Sequence, residues 1–166
     1  FLEILVFFKK YKFIIISYII LSFAFVFLYF NYNFSPIEFT AIILCIACFD
    51  SACYIVGKNY GKNKILINIS PKKTYEGLFG GILFTNAVCL LIYFIIDLSI
   101  IDYNLFILAN LVIFFSFFGD LIQSYFKRLN VLKDSGNLIP GHGGFFDRFD
   151  SFLLVIIPIS ILNLLF

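Results

Sequence analysis

The stretch KDSGNLIPGHGGFFDRFDS, residues 133–151, is a polar, glycine-rich segment between two long apolar runs. The chain around it is 62% hydrophobic and 13% charged, whereas soluble domains are about 45–50% apolar and about 25% charged. So few polar residues cannot cover a water-exposed surface, which excludes a soluble domain. We therefore predict a membrane protein in which residues 133–151 form a polar loop between two membrane-spanning helices.

Five apolar runs are near the roughly 20 residues that a helix needs to cross the hydrocarbon core of a bilayer. The predicted spans are 13–30, 37–57, 78–96, 104–126 and 149–166. They predict an all-α, polytopic membrane fold in which residues 1–166 form a single transmembrane domain. Because the chain begins with Phe1 and contains no Met, we expect a fragment that lacks its N-terminal spans.

The twelve Lys and Arg residues indicate how the chain is oriented. All of them lie before the first span, between the second and third, or between the fourth and fifth, and five alternating spans place these three segments on one side. The positive-inside rule assigns that side to the cytoplasm, which for a bacterial protein is the inner face of the cell membrane. No nucleic-acid partner is expected, because these cations lie where they meet lipid head groups.

Four aspartates, Asp50, Asp120, Asp147 and Asp150, lie inside or at the ends of predicted spans, towards the cytoplasmic side. A charge at membrane depth costs about 2.5–3.5 kcal/mol, so such residues face a protein interior or a water-filled cleft. They could form ion pairs with nearby Lys and Arg. Clustered carboxylates at one depth instead favour a divalent cation, and Mg²⁺ binds through a few carboxylates and substrate phosphates.

Two loops carry candidate anion-binding groups. In 139–145, IPGHGGF, three glycines (Gly141, Gly143 and Gly144) surround the single histidine, His142, just before a helix. Backbone N–H groups at a helix start bind anions, while His142 could be a general acid or base, or could hydrogen-bond a turn or a carboxylate. In 70–77, SPKKTYEG, Lys73, Thr74 and Glu76 offer positive charge, oxygen ligands or hydrogen-bonding groups, although a basic loop that touches lipid would look the same.

The four cysteines all lie inside apolar runs. Cys45 and Cys48 form a CxxC, but no second pair or nearby His completes a metal site. We expect small buried hydrophobic side chains without disulfides.

The C-terminal motif resembles the defining motif of the phosphatidate cytidylyltransferases, or CDP-diacylglycerol synthases. Its matching positions are Ser124, Lys127, Arg128, Lys133, Asp134, Pro140, Gly141, His142, Gly143, Gly144, Asp147, Arg148, Asp150 and Ser151. An upstream motif of the family is similar to residues 50–61, DSACYIVGKNYG, with Cys53 where the family has Ala. A middle motif is similar to residues 70–77. The resemblance covers roughly Asp50 onward and implies that the chain is the C-terminal part of the family fold.

The resemblance implies an enzyme that transfers CMP from CTP to phosphatidate and forms CDP-diacylglycerol and pyrophosphate at the cytoplasmic membrane face. It also implies Mg²⁺, with K⁺ possible beside it, and a possible homodimer. By position Asp120 and Asp147 would hold the metal, with Asp150 and Asp50 in support. The proposed phosphate ligands and loop residues are Lys127, Arg128, Lys133, Arg148, Ser124, Gly141, Gly143 and Gly144, with Lys73, Thr74 and Glu76 from the other loop and His142 as a less favoured acid or base.

Three alternatives stay open at this point. A related CTP-dependent lipid kinase, acting on a polyprenol or phytol, or an archaeal-type CDP-lipid synthase would share parts of the motif. An ion-coupled transporter would also carry intramembrane acids, but it predicts acids near the midplane and internal repeats. A structural membrane scaffold would leave the cationic glycine-rich loop without a purpose.

Overall fold

The computed structural model describes residues 11–32, 34–96, 104–132 and 149–165. These residues form five helices and one two-stranded antiparallel sheet. In chain order the elements are α1 (Lys12–Tyr32), α2 (Pro36–Tyr60), β1 (Lys64–Leu66), β2 (Ser70–Thr74), α3 (Tyr75–Ile96), α4 (Asn104–Leu129) and α5 (Asp150–Leu165). The predicted helical, polytopic class is confirmed, and the small hairpin is an addition to it.

The helices α1 to α4 are long and apolar enough to cross a membrane. The 21 residues of α1 extend about 32 Å, against a hydrocarbon thickness of about 30 Å. The described helix α5 has 16 residues and extends about 24 Å. Four of the five predicted spans are therefore confirmed by length and composition, and the fifth corresponds to a shorter apolar helix.

The helices begin and end where local capping groups satisfy the backbone. Ser35 caps α2 by accepting a hydrogen bond from the Glu38 N–H at 3.4 Å, and Pro36 occupies the first turn. At the end of α4, the Leu132 N–H donates to the Lys127 carbonyl at 2.8 Å. Val131 takes the left-handed conformation there, with a φ of 57°. This is a Schellman cap, and it ends α4.

Residues 64–74 form a hairpin, whereas the sequence predicted that residues 70–77 form a loop. Lys64 pairs with Thr74 and Leu66 with Ser70. Pro71 and two lysines make SPKKT a poor strand by propensity. The strand forms because Thr74, at its end, is buried against α2 and α3.

The described residues fall into two compact units. The first contains the residues before 35 and after 114. In it, Ile15 and Ile19 of α1 pack with Leu153 of α5 in a buried cluster. Farther along the same helices, the buried Ser160 hydroxyl donates to the Phe25 carbonyl at 3.0 Å, which satisfies a polar group within an otherwise apolar contact.

The second unit spans residues 35–114, and its core is the contact between α2 and α3. Gly77 and Gly81 form a GxxxG step, and both glycines lie at a close helix contact. A Cβ on Gly77 would lie 2.7 Å from the Cys53 carbonyl oxygen, and one on Gly81 would meet the Cys53 sulfur. All four cysteines are free thiols, with the sulfurs of Cys45 and Cys89 3.9 Å apart between these two helices.

Much of the helix surface is apolar. On α1, Phe13, Phe23 and Phe27 are all more than half exposed. Large exposed apolar faces on every long helix are unfavourable in water and favourable against lipid chains. The protein is therefore integral to a membrane.

Candidate functional site

The start of α5 lies directly against α4 because residue 119 is a glycine. A Cβ on Gly119 would lie 2.7 Å from the Asp150 carbonyl oxygen and 3.1 Å from the Ser151 Cα. Both distances are shorter than a side chain tolerates next to backbone atoms. The neighbouring acids, Asp120 on α4 and Asp150 on α5, are brought together as a result.

A network of short hydrogen bonds organises the two carboxylates. The Ser151 hydroxyl donates to Asp120 Oδ1 at 2.8 Å, and the Ser151 backbone N–H donates to Asp150 Oδ1 at 2.9 Å. Ser151 therefore bonds both carboxyl groups, and Asp120 and Lys127 both lie within electrostatic range of Asp150. We call Asp120, Asp150 and Ser151 the acid pair site.

The acid pair site has the chemistry of a hard-cation site. Two carboxylates held this close repel each other unless a positive charge or a proton lies with them. Mg²⁺ takes oxygen ligands, uses one or two carboxylates and completes its shell with water and substrate phosphates. Within the described ranges no group of three His, Cys, Asp or Glu side chains is arranged around a common point. Asp147, which the sequence predicted as the partner of Asp120 in metal binding, lies outside them. The two acids present, Asp120 and the supporting Asp150, fit Mg²⁺.

Cationic and polar side chains follow the acid pair site along α4. Ser124 and Lys127 are partly buried and Arg128 is exposed. The Arg128 guanidinium donates to the Leu132 carbonyl oxygen at 3.0 Å, so it also closes the end of the helix. These residues line the last turns of α4, just before the chain enters residues 133–148.

Seven of the predicted site residues lie outside the described residues. They are Lys133, His142, Gly141, Gly143, Gly144, Asp147 and Arg148. Their roles stay predictions from the sequence.

The remaining predicted residues belong to the second unit. Asp50 is partly buried on α2, ten residues before that helix ends at Tyr60. Thr74 is buried, its hydroxyl accepts from the Gly77 N–H at 3.1 Å, and it thereby caps α3. Lys73 and Glu76 flank this cap and are partly buried.

Three residues near these sites lie outside the recognised motifs. Tyr18 of α1 is close enough to Asp150 to sense its charge, and nothing in its apolar run indicated this. Asn63 hydrogen-bonds Glu76 but lies outside both recognised motifs. Gly119 did carry a signal, because an isolated glycine inside an apolar helix often marks a close backbone contact.

Four membrane-length helices and two neighbouring aspartates at a helix contact define a polytopic membrane protein with an acidic site. Residues 6–166 match the model of the cytidylyltransferase family, and the chain belongs to that family.

Similar proteins carry a more specific name. A phosphatidate cytidylyltransferase of Staphylococcus epidermidis is 44% identical over 113 residues, which cover 68% of this chain and 44% of the relative. The Bacillus subtilis phosphatidate cytidylyltransferase is 44% identical over 106 residues, 64% of this chain and 39% of the relative. One from Staphylococcus aureus is 42% identical over 116 residues, 68% of this chain and 44% of the relative. The chain thus matches less than half the length of these relatives.

Proposed function

We propose that this chain forms the C-terminal part of a phosphatidate cytidylyltransferase, which transfers CMP from CTP to phosphatidate at the cytoplasmic face of a bacterial cell membrane. The observation that carries the proposal is the hydrogen-bonded acid pair site, which occurs inside a chain of the cytidylyltransferase family. The names of the similar proteins support the substrates. The distribution of Lys and Arg supports the orientation.

The reaction joins two polyanions. A phosphate oxygen of phosphatidate forms a bond to the α-phosphorus of CTP while the bond from that phosphorus to the pyrophosphate oxygen breaks. A phosphate monoester has a second pKa of about 6, so the attacking phosphate is already anionic at neutral pH and needs no strong base. The main barrier is charge repulsion and the charge that develops on phosphoryl oxygens, which fixed cations and oriented dipoles reduce.

The chain's own residues would supply a metal site and fixed cations for this purpose. Asp120, Asp150 and, from the sequence, Asp147 would hold Mg²⁺, which would neutralise charge on the phosphoryl oxygens when bound. Ser151 keeps the Asp120 carboxylate oriented. The residues proposed to bind phosphate groups are Lys127, Arg128, Lys133 and Arg148, with Ser124 and the loop of Gly141, Gly143 and Gly144.

The hairpin of the second unit supplies a separate proposal. Lys73, beside the cap of α3, would bind a phosphate group, and Thr74 and Glu76 would shape the hairpin that carries Lys73. Four points stay predictions from the sequence. They are support from Asp50 for the metal, K⁺ beside Mg²⁺, an acid or base role for His142, and a single catalytic domain over residues 1–166.

The test is conversion of radiolabelled CTP and phosphatidate by membranes that contain the intact protein, with and without Mg²⁺. The proposal expects labelled CDP-diacylglycerol and free pyrophosphate, and loss of both in Asp147→Asn and Asp120→Asn at unchanged protein level. Release of CDP with a newly phosphorylated lipid would instead identify a CTP-dependent lipid kinase. Full activity of Asp147→Asn would remove that residue from metal binding.

A further inference from the structure

Thr74 sits in a pocket of glycines. A Cβ on Gly61 would lie 2.7 Å from both the Oγ1 and Cγ2 atoms of Thr74, and a Cβ on Gly57 would lie 3.1 Å from its Oγ1. A Cβ on Gly77 would lie 3.0 Å from the same oxygen. The two recognised motifs of this unit, residues 50–61 and 70–77, therefore form one packed structure in which the glycines of both make room for the threonine.

A second contact closes the same end of the hairpin. The Glu76 carboxylate accepts hydrogen bonds from Asn63 Nδ2 at 2.8 Å and from the Asn63 backbone N–H, which lies 3.2 Å from each carboxylate oxygen. The Tyr75 N–H donates back to the Asn63 carbonyl at 2.9 Å. Asn63 precedes β1 and Glu76 follows β2, so this contact, which we call the clasp, ties the two ends of the hairpin together.

The clasp explains what a carboxylate does beside two lysines. Lys72 and Lys73 lie four and three residues before Glu76, in the part of β2 between the turn and the buried Thr74. Both Glu76 oxygens accept from Asn63, and hydrogen bonds to a charged acceptor are among the stronger ones in proteins. The Glu76 carboxylate is therefore occupied by Asn63 at the base of the hairpin. The backbone that carries the two lysines is held at Thr74 and at Asn63.

We infer that Asn63 and Glu76 are positioning residues, which hold the Lys72–Lys73 strand in place to bind a phosphate group of a substrate. This inference rests on the proposed function. It assigns a task to Asn63, which lies between the recognised motifs, and it makes Glu76 a partner of Asn63 instead of a metal ligand.

The experiment measures kcat and KM for CTP and for phosphatidate in the intact protein in nanodiscs, for Asn63→Ala, Glu76→Ala, their double variant and Glu76→Gln. A hydrogen bond to a charged group is worth enough to change binding about tenfold, so each alanine variant should raise one of the two KM values about 3–10-fold with little change in kcat. The KM of the double variant should rise no further than that of the more impaired single variant, because both substitutions remove the same contact. Glu76→Gln should retain near wild-type kinetics, since its amide oxygen still accepts from the Asn63 N–H and the Asn63 amide can turn to meet its NH₂.

Hydrogen exchange supplies a readout that does not depend on turnover. Glu76→Ala should speed exchange of the Asn63 amide about tenfold or more, because that N–H loses its acceptor. Asn59→Ala is the matched control. It removes an exposed asparagine four residues earlier and should change neither exchange nor kinetics.

The outcomes separate the two proposals. If wild-type protein makes no CDP-diacylglycerol, the proposed function fails and the role for Lys73 fails with it, whatever the exchange data show. If wild-type protein is active but Asn63→Ala has normal KM values, the positioning role is overturned and the proposed function stands. Loss of kcat in Glu76→Gln together with wild-type behaviour of Asn63→Ala would instead make Glu76 a direct ligand.

Discussion

The Ser151 hydroxyl, at the start of α5, donates a 2.8 Å hydrogen bond to Asp120 Oδ1 on α4. Partners that orient a metal-binding carboxylate typically change metal affinity or activity about 10–100-fold when they are removed. We therefore expect Ser151→Ala to raise the Mg²⁺ concentration for half-maximal CTP turnover about 10-fold or more. Binding of Mn²⁺, measured by electron paramagnetic resonance without substrate, should weaken in parallel.

The control for that prediction is another buried serine on the same helix. Ser160 donates to the Phe25 and Ile156 carbonyl oxygens, away from the acids. Ser160→Ala should cost about 1 kcal/mol of stability and leave the Mg²⁺ requirement unchanged. An equal shift of the Mg²⁺ requirement in both variants would show that Ser151 acts only through stability.

Gly119 is expected to tolerate no side chain. In Gly119→Ala the new Cβ would lie 2.7 Å from the Asp150 carbonyl oxygen, so α5 must move away from α4. Overpacking of this kind costs about 1–3 kcal/mol, and here it would also separate Asp120 from Asp150. Thermal unfolding in detergent and CTP turnover should both fall. Phe118→Ala, at the exposed neighbouring position, should alter neither by a comparable amount.

The spans were predictable because hydrophobic length is a local property, and the meeting of Asp120 and Asp150 was anticipated because unpaired acids are costly in lipid. Their actual contact depends on Gly119 approaching the backbone of Asp150, a distance that no local pattern encodes.

The hairpin shows the opposite case, in which local propensity is misleading. A Ser-Pro step such as Ser70–Pro71 is typical of a turn, yet these residues begin a strand. That strand is fixed by the glycine pocket around Thr74 and by Asn63, and such tertiary contacts override weak strand propensity. The span ends were likewise displaced by caps, so α2 continues to Tyr60 where the sequence predicted an end at Gly57.

Gly81 and Cys53 should show coupled effects on stability. A Cβ on Gly81 would overlap the Cys53 sulfur and would lie 3.0 Å from ring atoms of Phe49, so Gly81→Ala should destabilise the α2–α3 contact by about 1–3 kcal/mol. Cys53→Ala removes the sulfur, and the double variant should recover part of that loss. A double-mutant cycle from thermal unfolding measures the coupling, which contacting residues show at about 0.5–3 kcal/mol. Additive losses would mean that the sulfur does not fill the space beside Gly81.

Replacement of Val131 by glycine should raise the free energy of unfolding. Its φ of 57° places a β-branched residue in the left-handed conformation, which costs about 1–2 kcal/mol for residues other than glycine. Glycine removes this strain but adds about 0.5–1 kcal/mol of backbone entropy to the unfolded chain. The side chain is 91% exposed, so little packing is lost. We therefore expect Val131→Gly to stabilise the protein by up to about 1 kcal/mol in thermal unfolding.

The neighbouring residue provides the contrast for this last prediction. Asn130 has no positive φ, and its side-chain amide donates to the Phe126 carbonyl at 3.0 Å. Asn130→Gly gains no relief of strain and loses that hydrogen bond, so it should destabilise the end of α4. If both glycine variants lowered the unfolding midpoint equally, the assignment of a left-handed conformation to Val131 would be wrong. Only that conformation makes glycine stabilising at residue 131 and destabilising at residue 130.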